Sequence, residues 1–127
     1  MTKNFTKIQF DIKKLGLKFD KKKLNTVVFH NTNESKEHFI VKCVLSFLLR
    51  IMGHDIYSEG FYGNKKFDVI DLTDRIVYEI ESSKTKKKVT QKEENITDSY
   101  FDLFIIDLKD IPKIDELFNF VKKQIGY

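Results

Sequence analysis

Cysteine is nearly missing from this sequence of 127 residues, which contains only Cys43. A single cysteine excludes an internal disulfide and a cysteine-rich zinc site. Because Cys43 lies inside an apolar helical run, we expect it to be a buried small side chain. A chain without disulfides is typical of a reducing, intracellular setting.

Long apolar segments and targeting signals are missing as well. Residues 39–52 form an apolar stretch shorter than the roughly 18–20 residues of a membrane span, and Lys42, Ser46 and Arg50 interrupt it. The N-terminus is polar and basic, without the apolar segment of a signal peptide. We therefore expect a cytoplasmic protein. Its 41% apolar content, with 12 Phe and 5 Tyr, indicates one globular domain over residues 1–127.

Glycine is also scarce, and no phosphate-binding loop is recognisable. Gly60 and Gly63 lack the strand–turn–helix context of such a loop, and we expect them to flank a tight connection. No group of histidine and cysteine residues has zinc-site spacing. These absences leave carboxylates as the residues best suited to metal chemistry.

Charge is distributed unevenly around a net value of +4. Residues 1–23 contain eight lysines against Asp11 and Asp20, whereas residues 93–127 are acidic. A basic N-terminal extension over residues 1–30 is consistent with a nucleic-acid partner. It is equally consistent with ordinary solubility, so the charge pattern leaves both interpretations open.

The predicted order of elements is α-β-β-β-α-β-α, an α/β fold with a mixed sheet and helices packed on it. The first helix begins within residues 31–37, where capping residues and acids cluster, and it ends at Gly53. Its apolar positions step by three or four and trace one broad stripe. The members of this stripe are Phe39, Ile40, Cys43, Val44, Phe47, Leu48 and Ile51.

Strands and further helices follow this first helix. Alternating and apolar β-branched runs predict strands over 54–59, 67–72, 76–83 and 100–108. The second and third of these form a β-hairpin. Residues 84–95 are polar and helix-forming, and a last helix starts near Pro112, which suits a first-turn position.

Three carboxylates occupy the predicted hairpin, where a buried strand favours Val or Ile: Asp68, Glu79 and Glu81. Since side chains alternate along a strand, Glu79 and Glu81 leave the sheet on one face, roughly 6–7 Å apart. Burying such acids without a counter-charge is costly. Mg²⁺ or Mn²⁺ is the usual remedy, because these hard cations prefer carboxylate oxygens. The pattern therefore predicts metal-dependent chemistry.

This order of elements, with acids at these positions, resembles the PD-(D/E)XK, or restriction-endonuclease-like, nuclease superfamily. Archaeal Holliday-junction resolvases and many small archaeal and viral nucleases belong to it. Asp68, in Lys-Phe-Asp-Val, matches the aspartate of the family's second strand, and Glu79-Ile80-Glu81 matches the (D/E)-X-K of its third strand except at the last position. The resemblance implies an αβββαβ core over about residues 32–108, with a C-terminal helix at 112–126. It also implies a Mg²⁺- or Mn²⁺-dependent deoxyribonuclease in which Asp68 and Glu79 bind the metal.

The resemblance assigns further roles around this pair. Glu81 stands where the family usually has lysine, and Lys84 is the nearest substitute, so both join the implied catalytic set. Glu59, on the first strand, would complete the metal site. Glu34 and Glu37 are candidates for an accessory acid on the first helix, but acids in a first turn also simply complement the helix dipole. For these two residues both interpretations stay open.

Lysines after the third strand form the predicted DNA-contact patch: Lys84, Lys86, Lys87, Lys88 and Lys92. Such contacts bind phosphates without reading sequence, which favours a structure-directed or nonspecific nuclease in repair, recombination or a mobile element. We expect a homodimer, because so small a domain does not enclose a duplex alone; Leu117, Phe118 and Val121 form either its interface or part of the core. Neither a membrane nor a small-molecule cofactor is expected. Two alternatives remain open, an inactive nucleic-acid-binding module of the same fold and a plain α/β interaction domain.

Overall fold

The structure is a computed structural model that describes residues 21–27, 34–62, 65–82 and 101–126. The predictions for residues 1–20, for a strand end at 28–29 and for a helix at 84–95 lie outside these ranges. Lys21–Lys23, predicted as a loop, form a short 3₁₀ turn. The next residue, Leu24, makes an isolated antiparallel bridge to Tyr57 and so joins this segment to the sheet.

Four strands form one mixed sheet in the order β1-β2-β3-β4. They are β1 (Ile56–Tyr62), β2 (Lys65–Asp71), β3 (Ile76–Glu81) and β4 (Asp102–Asp107). The pairs β1–β2 and β2–β3 are antiparallel, whereas β3 and β4 run parallel. Parallel neighbours need a crossover of about a dozen residues or more, and residues 82–101 make that connection. The predicted α/β class with a mixed sheet is confirmed, as is the hairpin.

Two α-helices are described, α1 (Lys36–Ile51) and α2 (Asp115–Gln124). The Ser35 side chain caps α1 by accepting a hydrogen bond from the amide of His38, and Gly53 follows its end in the left-handed conformation (φ +84°). The predicted stop at Gly53 is therefore confirmed. No helix in the described ranges is long and apolar enough to span a membrane.

The start of α2 differs from the prediction. Pro112 precedes the helix by three residues instead of occupying its first turn. Ile114 stands at the N-cap without a side-chain cap, and acids fill the first turn, where they complement the helix dipole. An ion pair between Lys36 and Asp115 connects the first turns of the two helices.

The face of α1 that packs on the sheet is not the apolar stripe recognised in the sequence. The residues that α1 buries are Lys42, Ser46 and Leu49. Lys42 lies underneath because its ammonium group contacts two carboxylates there, and this ion-pair network determines the rotation of the helix. The predicted stripe consequently faces outward, with four exposed members: Val44, Phe47, Leu48 and Ile51. Cys43, which we expected to be buried, is only partly so.

The core consists of two apolar clusters on opposite faces of the sheet. On the α1 side, Leu49 packs with Ile56 and Val69. The cluster on the other side is larger and contains Tyr57, Phe67, Ile70, Leu72, Val77 and Phe101.

Gly60 lies inside β1, so the predicted connection at this glycine is wrong. A Cβ at Gly60 would lie 2.8 Å from both Ile70 Cδ1 and Tyr57 Cδ1. Glycine is therefore needed here for close packing of the strands rather than for a turn.

Candidate functional site

The alternation of side chains along β1 is interrupted at Glu59. Its backbone has φ +54°, a left-handed conformation that is rare for a non-glycine residue inside a strand. Tyr57 and Gly60 are three residues apart, yet the Cβ direction of Gly60 points at the Tyr57 ring. Regular alternation would put them on opposite faces. The interruption turns the Glu59 carboxylate toward α1, where it meets Lys42.

The same interruption occurs opposite Glu59, at Asp68 on β2. The pairs Ser58–Val69 and Gly60–Phe67 flank these two residues, so the register sets Asp68 against Glu59. Phe67 and Ile70 belong to one core cluster although they are three residues apart. Asp68 lies between them and points to His38 on α1. The register of β1 and β2 thus brings two carboxylates to one side of the sheet.

Asp68 has three neighbours that lower its pKa. Its Oδ1 lies 3.2 Å from His38 Nε2, its Oδ2 accepts a 2.7 Å hydrogen bond from the Ile80 amide, and the Glu79 side chain is the third neighbour. Burial alone would raise the pKa of Asp68, but these neighbours outweigh it and lower the pKa to about 2. The paired region of β2 and β3 runs from Val69 to Asp71, so Asp68 bridges the strands just beyond it.

Asp68 and Glu79 are neighbouring carboxyl groups in a buried setting. Both side chains are largely buried, at 8% and 6% exposure. Two adjacent buried carboxylates are costly without a counter-charge, so a cation bound between them would stabilise the pair.

A network of ion pairs connects this pair to α1. Lys42 Nζ lies 2.6 Å from Glu34 Oε1 and 2.9 Å from Glu59 Oε1. Glu34 Oε1 also lies 2.6 Å from His38 Nδ1. Burial disfavours the charged form of Lys42, but the two carboxylates outweigh it and raise the pKa of its ammonium group. For His38, the Asp68 carboxylate is the main cause that raises the pKa to about 9, so His38 is a cation at neutral pH.

A cavity of about 530 Å³ opens above these groups. Its lining includes Glu34, His38, Glu59, Lys66, Asp68 and Glu81. Lys66 Nζ lies 3.7 Å from Glu59 Oε2, and its side chain is 30% exposed. With Glu79 beside Asp68, the site contains five carboxyl groups against three cationic side chains. Two formal negative charges are therefore uncompensated, and one divalent cation would neutralise them.

The structure brings most of the predicted site residues together. Asp68 and Glu79 are in contact, Glu59 is opposite Asp68, and Glu34 and Glu81 line the same cavity. Glu37 is not among the described residues of that lining. The predicted catalytic Lys84 lies outside the described residues, as does the rest of the DNA-contact patch: Lys86, Lys87, Lys88 and Lys92.

Three cations of the site were missed by the sequence analysis. His38 is four residues from Glu34 and from Lys42, and this spacing on one helix face was the available signal. Lys42 was noted as an interruption of an apolar run, and its burial against two carboxylates was not predicted. Lys66 precedes Asp68 by two residues, and ordinary alternation puts such a pair on one face.

A second group, at the hairpin end, also has ligand-type side chains. His54, Asp71 and Asp74 offer atoms within 4.8 Å of one another. His54 Nδ1 contacts Asp71 Oδ2 at 2.7 Å, which is the main cause of a raised His54 pKa. Asp71 Oδ1 accepts hydrogen bonds from the amides of Thr73 and Asp74. Because one oxygen of Asp71 stabilises the turn and the other contacts His54, this group has a structural explanation.

No known protein family, curated protein or solved structure matches this chain. The functional argument therefore depends on the geometry and charge of the site.

Proposed function

We propose that this protein is a Mg²⁺- or Mn²⁺-dependent deoxyribonuclease with a restriction-endonuclease-like core. The observation that carries the proposal is the buried pair of neighbouring carboxyl groups, Asp68 and Glu79, of which Asp68 lines an open cavity. A divalent cation is well suited to neutralise this pair, because carboxylate oxygens are its preferred ligands. The order of α1 and the four strands, with the first turn of α1 beside the pair, agrees with the core that the resemblance implies.

Asp68 and Glu79 are the residues that would hold the cation. A bound Mg²⁺ or Mn²⁺ supplies an activated water and neutralises charge on the phosphoryl oxygens. The imidazolium of His38 keeps Asp68 ionised and oriented. Glu59, predicted as a further metal ligand, instead contacts Lys42 and Lys66. We therefore assign it the role of positioning these two lysines. Glu81, at the cavity wall, is available to orient water.

Lys66 is the described cation best situated to contact a substrate phosphate. Lys42 is fully buried and contacts two carboxylates, and His38 lies between Glu34 and Asp68. Lys66, in contrast, is partly exposed on the cavity wall. Glu81 stands where the superfamily's motif usually has a lysine. We therefore propose that Lys66 provides that positive charge instead and stabilises the negative charge that develops in the transition state.

The substrate we propose is DNA, bound through phosphate contacts of the lysines at residues 84–92. Such contacts release counterions, so affinity should fall steeply with salt. No base-reading element is recognised among the described residues, so we propose structure-directed or nonspecific cleavage.

The second candidate function is an inactive nucleic-acid-binding module of the same fold. One observation favours it: Glu34, Glu59 and Asp68 each already form an ion pair with Lys42 or His38. Metal binding and cleavage distinguish the two functions.

Cleavage of supercoiled plasmid, single-stranded DNA and a four-way junction, with Mg²⁺ or Mn²⁺, tests the proposal. We expect cleavage by the native chain and none by Asp68→Asn or Glu79→Gln. In parallel, millimolar Mn²⁺ should raise the melting temperature of the native chain but not of these variants. Asp74→Asn is the matched control, because it alters the hairpin group and should leave both effects intact.

The outcomes separate the candidates. Salt-sensitive DNA binding without cleavage by any form would favour the inactive module. Mn²⁺ stabilisation that Asp74→Asn abolishes, but Asp68→Asn does not, would locate the metal at the hairpin and contradict our assignment.

The role of Lys66 has its own test. Lys66→Met should lower the rate of cleavage at saturating DNA by at least tenfold, while DNA affinity and Mn²⁺ stabilisation persist. Lys84→Met provides the comparison. If only Lys84→Met loses cleavage, Lys84 and not Lys66 provides the positive charge that stabilises the transition state.

A further inference from the structure

We infer that the outward face of α1 is an interface between two copies of this chain. This face, called the α1 stripe below, consists of five apolar residues at helical spacing: Val44, Phe47, Leu48, Ile51 and Met52. Their exposed fractions are 51, 65, 47, 63 and 63%, so no described residue covers them. The inference does not depend on the proposed nuclease activity.

The α1 stripe lies opposite the face that contacts the sheet. Residues Lys42, Ser46 and Leu49, on the buried face, are offset from it by about half a helical turn. A surface helix normally turns its apolar side to the core and its polar side to water. In α1 the outward side is apolar along the whole C-terminal half. This inversion is expected where a second apolar surface covers the helix.

The area of the α1 stripe corresponds to one interface of standard size. Large side chains present roughly 150–250 Å² each, so five that are about half to two-thirds exposed leave on the order of 500 Å² of apolar surface, near the upper limit for a monomer. A standard interface buries about 800 Å² per partner, of which roughly 450–520 Å² is apolar. One α1 stripe therefore supplies the apolar centre of such an interface.

A second copy of the chain is the occupant that fits this surface. In a two-fold dimer the same patch meets itself, so the patch must be self-complementary. The α1 stripe contains no charge, and antiparallel pairing brings its Val44 end against the Ile51 end of the other copy without like-charge repulsion. Arg50, the one charged residue among residues 44–52, donates a 2.8 Å hydrogen bond to the carbonyl of His54 and lies outside the stripe.

Sedimentation equilibrium of the full chain, from roughly 1 to 100 μM, tests the inference. We expect a dimer whose affinity is maintained in about 1 M salt, because the contact is apolar and salt screens only charges. Phe47→Lys should weaken the dimer by at least tenfold, and Ile51→Lys should do the same. Phe120→Lys is the matched control, since Phe120 is equally exposed, at 60%, but belongs to α2.

Two results would overturn the inference. A native chain that is monomeric over the whole concentration range contradicts it directly. A dimer that tolerates Phe47→Lys and Ile51→Lys but is lost in Phe120→Lys assigns the interface to α2. Circular dichroism of each variant verifies the fold, and because Phe47 and Ile51 are exposed, neither substitution removes a core contact.

Discussion

Replacing Lys42 with methionine tests the buried ion-pair network directly, because methionine resembles lysine in length but has no charge. Lys42 is fully buried, with its Nζ 2.6 Å from Glu34 and 2.9 Å from Glu59. The two carboxylate side chains are only 4% and 5% exposed. The variant therefore leaves two buried carboxylates without their shared cation.

The size of the loss in stability depends on the contacts that the two carboxylates keep in the variant. Removing one partner of a buried ion pair costs about 3–5 kcal/mol. Glu34 still contacts His38, and Glu59 still has Lys66 at 3.7 Å. We therefore expect a loss near the lower limit, about 3 kcal/mol of the free energy of unfolding. A domain that is stable by roughly 5–15 kcal/mol would remain folded.

Urea denaturation at pH 7, monitored by circular dichroism, measures this loss. Adding Glu59→Gln to Lys42→Met should restore part of the stability, since one of the two buried negative charges is then removed. Lys113→Met, at an exposed lysine, is the control and should change little. A loss below about 1 kcal/mol would refute the assigned role of Lys42.

Three further predictions concern stability. The pKa of Asp68 is lowered from 3.8 to about 2 and the pKa of His38 is raised from 6.5 to about 9. This ion pair therefore stabilises the metal-free protein fully between about pH 3.8 and 6.5, by roughly 2–3 kcal/mol. The contribution is lost as pH falls toward 2 or rises through 9. In urea titrations, the stability of His38→Gln should therefore no longer fall as pH rises through 9. Gly60→Ala should cost about 1–3 kcal/mol by overpacking, measured as a lower urea midpoint. Asn25→Ala should cost about 1–2 kcal/mol, because Asn25 has φ +59° and its side chain accepts a 2.8 Å hydrogen bond from the Ile56 amide.

Each of these predictions has a contradicting result. A stability of His38→Gln that still falls as pH rises through 9 would show that another group titrates there. Wild-type stability of Gly60→Ala would mean that the Ile70 and Tyr57 side chains, whose atoms lie 2.8 Å from the position of the added Cβ, move aside without cost. Asn25→Gly separates the two contributions at that site, since glycine tolerates the positive φ but cannot make the hydrogen bond.

Sequence patterns of short range predicted the elements well. The hairpin, the end of α1 at Gly53 and the strand around β4 follow from alternation, turn residues and helix periodicity. Asp68 and Glu79 were identified from their places on the predicted hairpin, and the resemblance to the nuclease superfamily added Glu59. These features depend on residues that are neighbours along the chain, which is why one sequence suffices to predict them.

The rotation of α1 and the positions of Gly60 and Pro112 were predicted wrongly for a different reason. Periodicity predicts an apolar face but does not say which face packs on the sheet. In α1 that choice follows from the burial of Lys42 against Glu34 and Glu59, and the latter lies 17 residues away. Likewise, the glycine at position 60 is required by a side chain on another strand.

The sequence by itself thus determined the α/β class, the order of the described helices and strands, and the carboxylates on the hairpin. Only the tertiary structure decided which cations neutralise them, because a break in alternation at Glu59 and Asp68 turns both toward His38 and Lys42. The energy of a buried charge depends on partners from distant segments, and no local pattern records those partners. The same choice of partners leaves the apolar side of α1 facing outward.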